Sequence, residues 1–207
     1  KGEAEFPFVL TAPTGRAAKR LQESTGMQAM TIHRLLGWDG NKFFEKNQRE
    51  PLEGSLLVID EFSMVDIVLA HHLFKAVPDD MQVLIVGDED QLPSVGPGQV
   101  LTDLLKSKQI PMVQLNEVYR QKEGSKIIDL AHDIKHNRLK REEVVKERDF
   151  SFIPCQAHQV VEVVKTVFEK AKERGMELDD MQVLAPMYRT QAGINEINKH
   201  LQAFINP

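Results

Sequence analysis

The chain has 207 residues, 42% of them apolar and 28% charged, with a formal net charge of −5. That is enough for one large or two small domains of an ordinary globular protein, and too acidic for a general basic coat on nucleic acid, though not for a locally basic groove. No apolar run approaches the roughly 18 residues of a membrane span, no signal peptide is visible, and the single cysteine, Cys155, permits neither an internal disulfide nor a Cys-rich zinc site, so a membrane role is excluded and a reducing, cytoplasmic setting fits.

Phe6 to Thr11 is apolar and β-prone, so a first strand is predicted there. Ala12-Pro13-Thr14-Gly15 makes a turn, and Arg16 to Leu21 has helix-forming composition with Thr14 as its N-cap. A strand, a glycine turn and a helix N-terminus present free N–H groups to an anion. The turn is not a P-loop. With Gly15 as the second glycine, G-x-x-x-x-G-K-[ST] requires Gly, Lys and Ser or Thr where the chain has Leu10, Arg16 and Ala17, and the pattern occurs nowhere else in it. Such a loop suits a phosphate backbone better than a nucleotide's tail. An ordinary strand-to-helix turn with a solvated basic face is an equally good local reading.

Thr31 to Leu36 reads as a short helix capped by Thr31. Asp39 to Gly54 is a polar surface loop with weak β character around Phe43-Phe44. Leu56-Leu57-Val58-Ile59 is an apolar run of the kind found in buried parallel strands, and it ends in Asp60 and Glu61. Two carboxylates at the carboxyl edge of an α/β sheet stand where such sheets bind ligands. One can hold Mg²⁺, usually through water, while the other orients an attacking water. Asp-Glu alone fits equally well a strand that simply ends in polar residues. An amphipathic helix follows over Ile67 to Ala76, ended before Pro78.

Met81 to Val86 is the next predicted buried strand, running into Gly87-Asp88-Glu89-Asp90-Gln91. Gly87 lets the backbone turn sharply, which brings Asp88 and Gln91 to the edge that carries Asp60 and Glu61. A neutral amide such as Gln91 can hydrogen-bond a terminal phosphate or the attacking water. Gln99 to Leu105 continues as a helix, and Pro111 to Leu115 reads as a further strand. Arg120 lies just beyond it in a polar turn, as a salt-bridge partner or as an arginine finger.

Ser125 to Asn137 is an amphipathic helix. Its His132 and His136 stand at i and i+4 as in a zincin, but Asp133 replaces the glutamate and no third ligand is in view. Arg138 to Arg148 is a mixed-charge connection. Phe150 to Pro154 is read as a strand, Val160 to Lys172 as a helix closed by Gly175, Gln182 to Ala185 as a buried strand and Ala192 to Ile205 as a closing helix. Alternating strands and helices predict an α/β plan with a parallel sheet, broken near residue 116.

Together these strings resemble a RecD-like superfamily 1 DNA helicase, the exodeoxyribonuclease V alpha subunit family. Ala-Pro-Thr-Gly-Arg-Ala-Ala at 12–18 resembles motif Ia, and Thr-Ile-His-Arg-Leu-Leu at 31–36 the short motif after it. Val-Ile-Asp-Glu-Phe-Ser-Met at 58–64 resembles motif II, and Val-Gly-Asp-Glu-Asp-Gln-Leu-Pro-Ser-Val-Gly-Pro-Gly at 86–98 motif III. Tyr-Arg-Gln at 119–121 resembles motif IV, and Val-Leu-Ala-Pro-Met-Tyr-Arg at 183–189 the segment beyond it.

The resemblance implies two RecA-like parallel-sheet domains, both incomplete, over 1–115 and 116–207. It implies an ATP-dependent helicase or translocase that moves 5′ to 3′ on single-stranded DNA. Asp60 would hold Mg²⁺, Glu61 would polarise the attacking water, and Gln91 and Arg120 would complete the catalytic set. Asp60, Asp88, Gln91 and Arg120 are the residues expected around ATP. Pro13, Thr14, Arg16 and His33 would meet DNA on the first domain, and Met187, Tyr188 and Arg189 on the second. The P-loop is expected upstream of Lys1 and the last motifs beyond Pro207, so these residues alone should hydrolyse little ATP. The alternatives are a non-hydrolysing nucleic-acid-binding module and a helicase subunit bound to exonuclease complex subunits.

Overall fold

The computed structural model describes residues 8–41, 43–115, 125–139 and 147–205. The chain divides into two compact units, Lys1–Glu117 and Val118–Pro207.

The first unit is built on a four-stranded parallel sheet. Its strands are β1 (Phe8–Ala12), β2 (Ala29–Thr31), β3 (Leu56–Ile59) and β4 (Gln82–Ile85), in the order β2-β1-β3-β4. β1 and β3 are the inner strands, which is why Val, Leu and Ile fill them with little alternation. Four helices connect and flank the strands: α1 (Gly15–Thr25), α2 (Ile32–Leu35), α3 (Ile67–Ala76) and α4 (Val100–Ser107). Three of them start at side-chain caps. Thr14 Oγ1 accepts from Ala17 N (3.2 Å), Thr31 Oγ1 from Arg34 N (3.2 Å) and Asp66 Oδ1 from Leu69 N (2.8 Å). One core holds the unit together. Leu57 and Ile59 of β3 pack with Ile32 and Leu36, with Phe62 and Val65, and with Leu73 and Ala76 of α3. Each large side chain so buried contributes about 1.5–3 kcal/mol.

Three elements differ from the sequence reading. β2 is too short to show a period, and it exists because Leu10, Thr11 and Ala12 pair with Ala29, Met30 and Thr31. β4 is not buried. It is the outer strand, and Val83, Leu84 and Val86 are 37%, 50% and 43% exposed. Pro111–Leu115 has no strand assignment. No strand among the described residues pairs with it, and Val113 and Leu115 are exposed.

The second unit is described through α5 (Lys126–Lys135), α6 (Val160–Glu173) and α7 (Ile194–Ile205). Phe168 of α6 packs on Ile197 and Leu201 of α7, with Met181, Val183 and Ala185 against them. The strand read at 182–185 is an extended segment. It alternates half-buried and exposed residues as a strand would, but it has no ladder among the described residues. Phe150–Pro154 keeps only a bridge residue at Ser151. α5 forms as read, with Ile127 and Ile134 of its apolar stripe exposed.

Candidate functional site

The carboxyl edge of the sheet is assembled by backbone bonds that cross its strands. β3 pairs with β4 so that Ile59 faces Ile85. Val86 N–H donates to the Ile59 carbonyl (2.8 Å), and Phe62 N–H donates back to the Val86 carbonyl (3.0 Å). On the other side Asp60 N–H donates to the Thr11 carbonyl (2.9 Å). Asp60 and Glu61 are thus pinned between the ends of β1 and β4, both half-buried. Gly87 follows one residue beyond β4, after Val86. A Cβ there would lie 2.9 Å from Leu101 Cδ2 and 3.3 Å from the backbone nitrogens of Phe62 and Ser63. Only glycine lets the two strand ends approach this closely.

Glu61 takes the left-handed conformation, φ 52 and ψ 40. That is uncommon for a residue with a Cβ, and such residues cluster at active sites. The turn after β3 is tight: Asp60 Oδ1 accepts from Glu61 N (2.9 Å), and a short 3-10 turn follows over Phe62–Met64. Beside it, Asp88 Oδ1 accepts from Asp90 N (3.0 Å), and Gln91 Nε2 donates a long bond to Asp88 Oδ2 (3.4 Å). Asp60 and Glu61 thus follow β3 directly, and Asp88 and Gln91, both exposed, lie in the loop that follows β4 at the same edge. All its charged donors are carboxylate oxygens, the hard ligands that Mg²⁺ prefers, so the donor set fits that ion. Among the described residues no cluster of three or more His, Cys, Asp or Glu is close enough to hold a metal unaided.

The other sequence candidates fall as follows. Pro13 and Thr14 are half-buried at the end of β1, and Arg16 is exposed on the first turn of α1. Thr14 caps that helix, its hydroxyl oxygen accepting from Ala17 N. His33 is half-buried between rings, 4.9 Å from Trp38 and 6.1 Å from Phe44. Arg120 lies outside the described residues. In the second unit Met187, Tyr188 and Arg189 are exposed at the end of the 182–185 segment. Ile194 and Asn195 donate their backbone N–H groups to the carbonyls of Met187 (2.9 Å) and Tyr188 (3.1 Å), which ties that segment to the start of α7. Gly193 permits it, since a Cβ there would lie 2.7 Å from the Tyr188 carbonyl oxygen. Tyr188 and Arg189 line an open cleft of about 570 Å³ with His158, Glu162, Asn195 and His200. His132 and His136 stack 5.9 Å apart, with no third ligand among the described residues.

One constellation escaped the sequence. Phe44 lies 4.4 Å from His72 of α3, and His72 lies 5.5 Å from His71, so rings run from Trp38 in the loop to α3. Burial holds the His72 pKa below the ordinary histidine value, helped by the nearby charges of His71 and Lys75. The partners are far apart in sequence, and only the aromatic content of a polar loop hinted at them.

A family model described as an AAA domain matches residues 2–158, well over half of the chain. The chain belongs to the AAA domain family. Among AAA-domain relatives, an ATP-dependent RecD2 DNA helicase of Deinococcus radiodurans is 38% identical over 198 residues, 96% of this chain and 26% of that protein. A RecBCD enzyme subunit RecD of Mycolicibacterium smegmatis is 37% identical over 51% of the chain and 22% of its own length. The ATP-dependent DNA helicase dda of Enterobacteria phage T4 is 30% identical over 67% of the chain and 33% of its own. The chain thus spans between 22% and 33% of these relatives' lengths. Among solved structures, a Bacteroides Pif1 helicase in complex with ADP-AlF3 and ssDNA is similar, with a TM-score of 0.46 and 23% identity over 84% of this chain and 49% of that one. Among the described residues no helix is long and apolar enough to cross a membrane.

Proposed function

We propose that the chain is part of the motor core of an ATP-dependent DNA helicase or translocase. The observation that carries the reading is that Asp60 and Glu61 follow β3, and Asp88 and Gln91 follow its neighbour β4, at one carboxyl edge of a parallel sheet. Near-full-length similarity to a protein named an ATP-dependent DNA helicase supports it. Residues 1–115 belong to the first RecA-like domain and 116–207 to the second. Asp60 would hold Mg²⁺, which when bound would offset the charge of the phosphates. Glu61 orients the attacking water and takes up its proton. Gln91 reports the terminal phosphate, and Arg120 acts as the arginine finger. Single-stranded DNA runs past Pro13, Thr14, Arg16 and His33 on one unit and Met187, Tyr188 and Arg189 on the other. Tyr188, 68% exposed, is the stacking side chain in that set. Movement is 5′ to 3′, and the protein works in the cytoplasm.

The test is ATP turnover by the whole protein, with and without single-stranded DNA, beside Glu61→Gln. DNA should raise turnover, and the substitution should cut it by about 10²-fold or more while ATP still binds. An intact protein that binds ATP and never turns it over would sink the motor and leave a binding module. The match to RecD subunits favours a second reading, a helicase subunit within an exonuclease complex. Full unwinding by the purified protein alone would count against it.

A further inference from the structure

The loop from Gly87 to Gly98 carries Asp88 and Gln91, and both its ends rest on the stretch that carries Glu61. At its start, Gly87 lies against the backbone nitrogens of Phe62 and Ser63. At its end, Ile67 N–H donates to the Pro97 carbonyl (2.9 Å), and Gly98 lies against the Ile67 side chain. Next to that bond, Gly96 faces Asp66, the cap of α3. A Cβ added at Gly96 would run into Asp66 Oδ2 and lie 2.7 Å from its Cγ and 2.8 Å from its Cβ. No side chain fits there unless the loop or the cap moves. Backbone conformation does not require the glycine. Gly98 has φ 93, but Gly96 is not among the glycines of positive φ. Its missing side chain serves close approach alone.

We propose that Gly96 is a positioning residue: by seating the loop on the Asp66 cap, it fixes Gln91 relative to Glu61. The inference rests on the hydrolysis reading of this edge. The 3-10 turn over Phe62–Met64 joins Glu61 to the cap, so the loop's seat and Glu61 belong to one short stretch. The loop itself is stiff. Pro93 and Pro97 fix their own φ, and Ser94 Oγ lies 3.0 Å from the Gly96 carbonyl oxygen and 3.2 Å from that of Gly98. Gln91 is tied to the loop's start, its N–H donating to the Asp88 carbonyl (3.3 Å). A displacement at Gly96 is therefore passed on to Gln91 and not absorbed on the way. Asp60 and Phe62 keep their backbone bonds to the Thr11 and Val86 carbonyls, so Glu61 stays where it is. A misplacement of about 1 Å between such groups is enough to cost roughly 10²-fold in rate.

The experiment measures kcat and KM for ATP in the whole protein, with saturating single-stranded DNA. The variants are Gly96→Ala, Asp66→Gly, the two combined, and Asp66→Asn, with Glu61→Gln as the check on the hydrolysis reading. Gly96→Ala should lower kcat by about 10- to 100-fold and leave KM within about twofold. Asp66→Gly removes every Asp66 atom that the new methyl would meet, and glycine still serves as an N-cap. The combined variant, which exchanges side chain and gap between the two positions, should therefore return kcat to within about threefold of Asp66→Gly alone. Asp66→Asn keeps both shape and cap and should match the wild type. Denaturant midpoints taken alongside give the folded fraction, and the loss in Gly96→Ala should persist per folded molecule. A full kcat in Gly96→Ala, a loss that the combined variant does not relieve, a change in KM alone, or a loss that vanishes per folded molecule would each overturn the proposal. An equal loss in Asp66→Asn would also overturn it, by giving the role to the carboxylate's charge. Glu61→Gln separates the two ways of failing. If it turns over normally, the hydrolysis reading has failed and this inference falls with it. If it lacks turnover while Gly96→Ala is fully active, the reading stands and only the role of Gly96 is wrong.

Discussion

At the scale of single residues, Glu61 pays a conformational cost for where it stands. Its left-handed backbone costs an L residue about 1–2 kcal/mol, which glycine avoids. Glycine in turn costs about 0.4–1 kcal/mol through the freer unfolded chain. Glu61→Gly should therefore melt no lower than the wild type while losing turnover, as thermal denaturation and an ATPase assay would show together. A clearly lowered midpoint would mean that the carboxylate, and not the turn, holds this corner. His72 offers a second residue-level handle. Its pKa is depressed, chiefly by burial, so the unfolded chain takes up the proton at a higher pH than the folded one. Its contribution is complete above the ordinary histidine value and is lost as pH falls through the depressed one. Urea midpoints at about pH 7.5 and about pH 5.5 should differ less in His72→Phe than in the wild type. An equal acid-side loss in both would assign the effect elsewhere. The place of Asp60 and Glu61 at the sheet's carboxyl edge was legible in the sequence because they follow directly on the apolar Leu56–Ile59 strand. The Phe44–His72 contact was not, since a loop has no period.

At the scale of elements, caps and close approaches decide where helices start. Asp66 caps α3, and Ile67 N–H donates to the Pro97 carbonyl (2.9 Å), so the Leu92–Gly98 loop and the helix share one anchor. Asp66→Ala should cost about 1 kcal/mol of stability, read as a shift in denaturant midpoint at unchanged slope. A neutral result would mean that the loop alone fixes the helix start. Thr14 and Thr31 were foreseen as caps for the same physical reason, a hydroxyl placed before a helix-forming run. Strands were harder. Leu56–Ile59 was read correctly because it has neighbours on both sides. Gln182–Ala185 and Pro111–Leu115 have strand composition, but a strand is a property of a pair, and composition does not supply the partner. β4 makes the same point from the other side. Its sequence suits an interior strand, yet among the described residues nothing pairs beyond it.

At the scale of the molecule, the 207 residues contain no phosphate cradle of the G-x-x-x-x-G-K-[ST] kind. The turn that comes nearest to one, Pro13 to Arg16, has Leu10 where such a loop needs its first glycine and Ala17 where it needs Ser or Thr. It offers an arginine where a phosphate-binding loop puts lysine. Binding the triphosphate tail contributes most of a nucleotide's grip, because backbone N–H groups and a lysine neutralise several charges at once. Without that grip the attacking water cannot be aligned, however well Glu61 is placed. The isolated 207 residues should accordingly show ATP turnover at background level, and single-stranded DNA should not raise it. The same assay on the whole protein supplies the comparison. Turnover by the isolated residues that Glu61→Gln abolishes would mean that the Thr14–Arg16 turn holds the triphosphate after all, and would move that turn from the DNA face to the nucleotide.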